Sequence, residues 1–311
     1  MTYKYTIIIP HYNLPDLLER CLKSIPTRED IQVVVVDDKS SDENRQKLKD
    51  MQGAFPNVQF VFCEKNGGGG AARNRGLNEA NGDYILFADA DDYFCENFDK
   101  IIDKYIHLNN DVTYFNAKFI DANTGKQAKQ NNHLNEIIQT YKRNQSKGEI
   151  LLRYYFGEPW CKMVRRDIIT RNRISFDTTK IHNDTKFSYL VGFYAKKMAV
   201  CEEPIYNYTV RQGSVSKIIS DDRLLARVAV FGEKNKFLRD HGINFFDKLM
   251  IWPFKYCKEH DKEDIFNQCL AEAQKYGFDE KFIRKLLRQN KIETFFPRLK
   301  KKIIKIFGLK R

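Results

Sequence analysis

The sequence predicts an α/β protein whose first half is a parallel sheet with helices on both faces. Three observations carry this. Short β-rich runs alternate with stretches of helical spacing through the first hundred residues. Glycine, proline and small polar residues punctuate the joins. Polar and acidic residues gather where the predicted strands end, which is where ligands of such sheets bind.

In order, Tyr5 to Ile9 is a short β run. Leu14 to Ser24 sets Leu14, Leu17, Leu18, Cys21 and Leu22 at helical spacing. Ile31 to Val36 is almost wholly β-branched, a strand composition. Asp42 to Met51 reads as a polar helix after a Ser-Ser-Asp start, and Val58 to Phe62 as the third strand. Gly70 to Ala80 is a helix and Asp83 to Ala88 a fourth, buried strand. The pattern then loosens. Val112 to Asp121 and the segment after Asn123-Thr124-Gly125 predict a hairpin, and polar, Asn/Gln-rich Gln127 to Ser146 an exposed loop or mobile helix. Gly148 to Ser216 mixes aromatics and turn signals, and from Asp221 onward the chain is helical and charged.

A chain of 311 residues, 42% hydrophobic and 13% aromatic, supports one large or two packed domains. No run approaches the apolar length of a transmembrane helix, and Met1 to Tyr5 leads into a strand, unlike a signal peptide. The seven cysteines form no CxxC pair, so a reduced, cytosolic interior is expected and a zinc site is not. Much of the net charge of +12 lies in Arg298, Lys300, Lys301, Lys302, Lys305, Lys310 and Arg311. No nucleic-acid-binding pattern accompanies it. From Pro297, Leu299, Ile303, Ile306 and Phe307 share one helical arc opposite Arg298, Lys301 and Lys305. This tail, 291–311, is expected to lie on an anionic membrane surface.

The richest chemistry follows the fourth strand. Asp89, Asp91 and Asp92 flank Ala90, and carboxylates so close repel one another unless a cation sits between them. At a strand's carboxyl end that cation is Mg²⁺ or Mn²⁺ carrying phosphates; a solvated acidic turn is the plain alternative. Pro10-His11-Tyr12-Asn13 ends the first strand and Asp37-Asp38 the second. Asp37 or Asp38 can accept hydrogen bonds from a base or a ribose, while Ser41 or Asp42 caps the next helix. Asn66 to Gly70 opens a helix with four glycines, letting backbone N–H groups approach an anion. Arg73 and Asn74 can anchor the acidic loop or reach a phosphate.

These segments resemble glycosyltransferase family 2 of the GT-A fold, whose members carry a strand ending P-x-Y/H-N, then VDDGSxD, an N-x-G…ARN-x-G stretch and DxDD. Here they read Pro10-His11-Tyr12-Asn13, Val36-Asp37-Asp38-Lys39-Ser40-Ser41-Asp42, Asn66-Gly67-Gly68-Gly69-Gly70-Ala71-Ala72-Arg73-Asn74-Arg75-Gly76 and Asp89-Ala90-Asp91-Asp92. Lys39 departs from the usual glycine, which questions the local turn. Further on, Trp160-Cys161-Lys162 resembles the family's W-x-K, and His182-Asn183-Asp184 its ED segment, with Asn183 replacing the usual Glu. Tyr206 to Ser216 resembles Y-x-Y-xx-R-x-GS-x-S.

The resemblance implies a Rossmann-like mixed sheet in residues 1–217, with a nucleotide-binding half, 1–110, and an acceptor half, 111–217. A helical extension, 218–290, and the basic tail follow. It implies an inverting, metal-dependent hexosyltransferase that uses a nucleotide sugar, most often UDP-linked. The acceptor is expected to be a lipid-linked glycan in capsule, exopolysaccharide or lipopolysaccharide assembly at the inner face of the cell membrane. Asp184 falls on the catalytic base, and Asp91 and Asp89 on the metal ligands. Pro10, Tyr12, Asp37, Asp38, Asn66, Gly68, Arg73, Asp89 and Ala90 fall around the nucleotide. Asp92, Trp160, Lys162, Arg211 and Ser214 fall near acceptor or diphosphate; Trp160 is equally readable as core. Two rivals stand beside this reading, a nucleotidyltransferase making nucleotide sugars and a non-enzymatic basic surface-binding protein. The first strand lacks the former's Gly-rich pyrophosphate loop, and the latter leaves the carboxylates without purpose.

Overall fold

The structure, a computed structural model, describes residues 3–128, 132–211 and 218–288. Ser214 and the basic tail lie outside the described residues. The chain forms two compact units, Met1–Lys217 and Ile218–Arg311. The first begins with β1 Tyr5–His11, α1 Pro15–Lys23, β2 Ile31–Asp37, α2 Asp42–Ala54, β3 Val58–Phe62, α3 Gly68–Glu79 and β4 Tyr84–Phe87. It continues with β5 Tyr93–Phe94, α4 Phe98–Ile106, β6 Val112–Asp121, α5 His133–Arg143, α6 Gln145–Tyr154, β7 Lys162–Arg165, α7 Arg166–Arg171, α8 Thr185–Tyr194 and β8 Met198–Val210.

The eight strands form one sheet in the order β3-β2-β1-β4-β7-β6-β8-β5. The first four pair in parallel. β7 runs antiparallel to both β4 and β6, so the sheet is mixed, as expected, and its parallel part ends at β4. Parallel pairing follows from strand–helix alternation, and the alternation stops at Phe87. Every residue of β2 is buried, as expected of a strand covered on both faces.

β6 turns back at Asp121, whose Oδ1 accepts the N–H groups of Asn123 and Thr124, and the expected return arm follows: Asp121 N donates to Lys126 O at 2.8 Å and Ala128 N to Phe119 O at 2.7 Å around the bridge Ile120–Gln127. The longer partners of β6 are β7 and the thirteen-residue β8, which buries Cys201, Ile205 and Tyr206. Of the loop or helix expected over 127–146, the structure has a helix, α5. Leu134, Ile137 and Ile138 lie on one face and are buried, and Asn132 caps the helix by accepting from Asn135 N at 3.0 Å.

The second unit contains α9 Asp221–Asp240, a 3-10 turn Lys248–Ile251, α10 Trp252–Glu259, α11 Glu263–Gln274 and a helix over 280–288. Leu224, Val228, Phe231, Phe254, Cys269 and Ile283 belong to its own core. Lys234 and Asp247 make a buried ion pair at 2.6 Å, steadied by Asn235, which donates to the Asp247 carbonyl and accepts its N–H. Among the described residues no helix is long and apolar enough to cross a membrane.

Candidate active site

The site is assembled at the carboxyl ends of β1, β2 and β4. His11 closes β1. Its Nε2 accepts Leu14 N–H at 3.0 Å, so Nδ1 carries the proton and donates to Asp37 Oδ1 at 3.1 Å. Asp37 also accepts from Ser40 Oγ and Ser40 N and faces Arg45. Burial pushes its carboxyl up, but the bonds from His11 and Ser40 prevail and hold it below the usual range. Asp37 is 1% exposed, with its oxygens engaged by His11, Ser40 and Arg45. Asp38 is also turned inward, accepting Gly67 N at 2.8 Å and Gly68 N at 2.7 Å. Its work is to cap α3 and fold the glycine loop, to which Asn66 adds a bond to the Asp38 carbonyl. Lys39 adopts φ +61°, the left-handed turn that glycine favours, so the turn survives the departure. Pro10 is half-buried, and Tyr12 stands 51% exposed beside it.

Gly68, at φ +82°, starts α3 in a conformation few other residues adopt. Behind it α3 fastens two distant segments. Arg73 bonds Asp89 Oδ1 at 2.5 Å and Asn183 Oδ1 at 3.2 Å. Asn74 accepts Phe176 N at 2.8 Å and donates to Phe176 O at 2.9 Å. Arg73 thus ties the acidic loop to the residue preceding Asp184.

In the acidic loop, Asp89 N donates to the buried Tyr206 hydroxyl, and Arg20 donates to the Asp91 carbonyl at 2.5 Å. Asp91 pairs with Arg211 at 2.7 Å. Burial, then the charge of Asp89, pushes the Asp91 carboxyl above its usual range, against the pull of Arg211. Asp89 and Asp91 keep side-chain exposures of 29% and 26% and can meet a ligand. Asp92 is 1% exposed and accepts Thr209 N at 2.6 Å. Its Oδ1 anchors β8, and Ala90 is buried beside it. Among the described residues no group of three or more side chains forms a ready metal cage. Two partly exposed, mutually repelling carboxylates nevertheless fit a hard divalent cation whose remaining ligands are phosphate and water.

Asp184 is the half-buried residue before α8. Burial foremost raises its carboxyl to about 6; Arg73 and Lys162 oppose the shift and Glu158 adds to it. Two proposed contacts nearby belong to the interior. Trp160, 3% exposed, stacks on Tyr206 at 5.5 Å and meets Phe119 and Phe156 edge-on. Lys162, 1% exposed, donates to Phe156 O, Glu158 O and Ser188 Oγ. Sequence reasoning missed Arg20, His133 and Glu158, because each acts through partners distant in the chain and none sits in a readable motif; Tyr206 opens the Y-x-Y segment but was given no role.

The model for glycosyl transferase family 2 matches residues 6–172. The chain is 26% identical over 258 residues to an uncharacterized glycosyltransferase, YibD, of Escherichia coli K12, covering 81% of this chain and 75% of that protein. It is 29% identical over 224 residues to a poly(ribitol-phosphate) beta-glucosyltransferase of Bacillus spizizenii, covering 67% of this chain and 32% of the relative. The fold is that of S. aureus TarS 1–349 in complex with UDP-GlcNAc, with TM-score 0.63, 20% identity and coverage of 88% and 81% of the two chains.

Proposed function

Because the chain belongs to glycosyl transferase family 2 and is a glycosyltransferase, we propose that it is a metal-dependent, inverting enzyme moving a sugar from a UDP-sugar to a hydroxyl of a lipid-linked, growing cell-surface glycan. Membership in this family leaves neither the nucleotidyltransferase nor the non-enzymatic reading a basis. One observation carries the proposal. Arg73 bridges the exposed carboxylates after β4 and the segment of Asp184, setting the leaving-group side and the base side around one rigid helix. Exposed Tyr12, Pro10 and the Asn66–Gly68 loop border the base and ribose. Arg73, Arg211 and Ser214 serve the diphosphate, Ser214 lying outside the described residues.

Asp89 and Asp91 are the residues to hold Mg²⁺ or Mn²⁺, which when bound neutralises charge on the leaving diphosphate. Asp184 accepts the proton of the attacking hydroxyl. That oxygen bonds to the anomeric carbon as the bond from this carbon to the diphosphate oxygen breaks, and a single displacement inverts the centre. Asp91→Ala is expected to abolish the Mn²⁺-dependent part of UDP affinity, measured by calorimetry with and without metal. The variant stays folded, since a carboxylate repelled by Asp89 has been removed. A wild-type metal effect in the variant overturns the metal assignment.

The tail, 291–311, is proposed to hold the enzyme on the inner face of the membrane, where a lipid-linked acceptor resides. The full chain should co-sediment with vesicles containing phosphatidylglycerol, less so at high salt, and not with neutral vesicles. A chain ending at Asn290 should stay in solution. Equal binding by the shorter chain removes the tail from the mechanism.

A further inference from the structure

Beside Asp184 lies a second carboxylate that the sequence motifs do not mark. Glu158 Oε1 meets His133 Nε2 at 3.1 Å, and both side chains are about one-third exposed, 33% and 37%. The His133 ring rests on Phe119 and Phe156, at centroid distances of 6.1 and 6.2 Å, over the layer that holds Trp160. The strand-side segment carrying Glu158 is fastened to the helix of the base. Lys162 Nζ donates to Glu158 O at 2.5 Å and to Ser188 Oγ at 2.9 Å. Ser188 Oγ donates to Gly157 O, and Ser188 N donates to Asp184 O at 3.0 Å. A Cβ on Gly157 would stand 3.9 Å from Thr185 Oγ1, the residue following the base. Glu158 and Asp184 therefore share one wall, built by a buried ammonium.

We infer that Glu158, held by His133, is an acceptor subsite that grips a hydroxyl of a neutral polyol, next to the hydroxyl deprotonated by Asp184. The inference rests on the assignment of Asp184 as base. A carboxylate only accepts, and with about four lone-pair sites and one taken by His133 it can receive two neighbouring hydroxyls. Its negative charge disfavours a phosphorylated or carboxylated unit at that position. The charged groups acting on Asp184 are Arg73 from α3, Lys162 from β7 and Glu158 itself.

The test uses the full chain with Mn²⁺, the UDP-sugar that it turns over, and methyl glucoside, methyl galactoside and ribitol as acceptors. Glu158→Gln should raise the KM of the best acceptor by about tenfold or more while UDP affinity stays within about twofold. It should also move the acidic limb of the transfer profile to lower pH, because one negative charge beside Asp184 is gone; loss of packing alone does not do this. His133→Gln, which removes the imidazole and leaves the carboxylate, should raise the same KM by a smaller factor. An unchanged KM and acidic limb in Glu158→Gln, or a parallel fall in UDP affinity, overturns the subsite. So does donor hydrolysis by the wild type with no transfer to any of the three polyols. If Asp184→Asn turns over like the wild type, the base assignment has failed instead, and the two failures are distinct.

Discussion

Asp184→Asn leaves UDP binding intact and lowers transfer by about 10²–10⁴-fold, the range for loss of a general base. The substitution keeps the size and removes only the proton acceptor. The wild-type pH profile should show the same group. With its carboxyl raised to about 6, chiefly by burial, Asp184 is ionised at neutral pH, and transfer falls as pH drops through that value. The linkage sign is the reverse of an ordinary ion-paired aspartate. The folded state binds this proton more tightly than the unfolded state, so ionising Asp184 costs stability between the ordinary carboxylate pKa and about 6. Asp184→Asn should therefore melt no lower than the wild type at pH 7. Transfer assays at saturating donor, with melting curves at pH 5 and pH 7, check both. Near-normal turnover would move the base elsewhere, to Asp177 first.

Gly70→Ala is expected to be among the most damaging single methyl additions to this chain. A Cβ there would sit 1.8 Å from the Asp177 carbonyl oxygen and 3.1 Å from Asn183 Cβ. The obstacle is backbone and cannot rotate aside, so α3 or the 177–183 segment must move. Overpacking of this kind costs about 3 kcal/mol, which lowers Tm by about 6–12 °C in a unit of this size. Transfer should fall further than stability explains, because Arg73 and Asn74 use the same close approach to position the segment before Asp184. Gly53→Ala in α2, with nothing within 4 Å of the added Cβ, is the control and should be neutral or mildly stabilising. Near-wild-type melting and turnover in Gly70→Ala would mean that the contact is loose.

The parts of the fold legible in the sequence are those written locally. β1 to β4 and the helices between them follow from runs of Ile, Val and Phe and from caps such as Ser41, which accepts Asn44 N–H. The acidic loop could be singled out for a similar reason, since charges at element ends leave a short-range pattern, whereas Asp184 was marked only by the family resemblance. β8 could not be placed, because its partner β6 lies some eighty residues upstream and nothing in either strand names the other. α5 could be read as loop or helix, because only three apolar residues sit in its polar frame. Asp37, Asp92, Trp160 and Lys162 share another obstacle. Their motifs leave open whether each meets a ligand or the interior, as with Trp160, and tertiary packing turns each side chain inward. Burial is not a local property, and a motif records only that a residue is needed, whether for chemistry or for scaffold.

Asp89 and Asp91 each already hold a guanidinium, from Arg73 and Arg211. On the metal assignment proposed above, cation uptake would be an exchange of counterions. The charge that the metal brings would be partly offset by the arginine displaced from a carboxylate, so metal alone would gain little. A nucleotide diphosphate would change the balance by giving the released Arg211 a new anion to face. Metal and donor would then bind as a thermodynamic pair, each weak without the other.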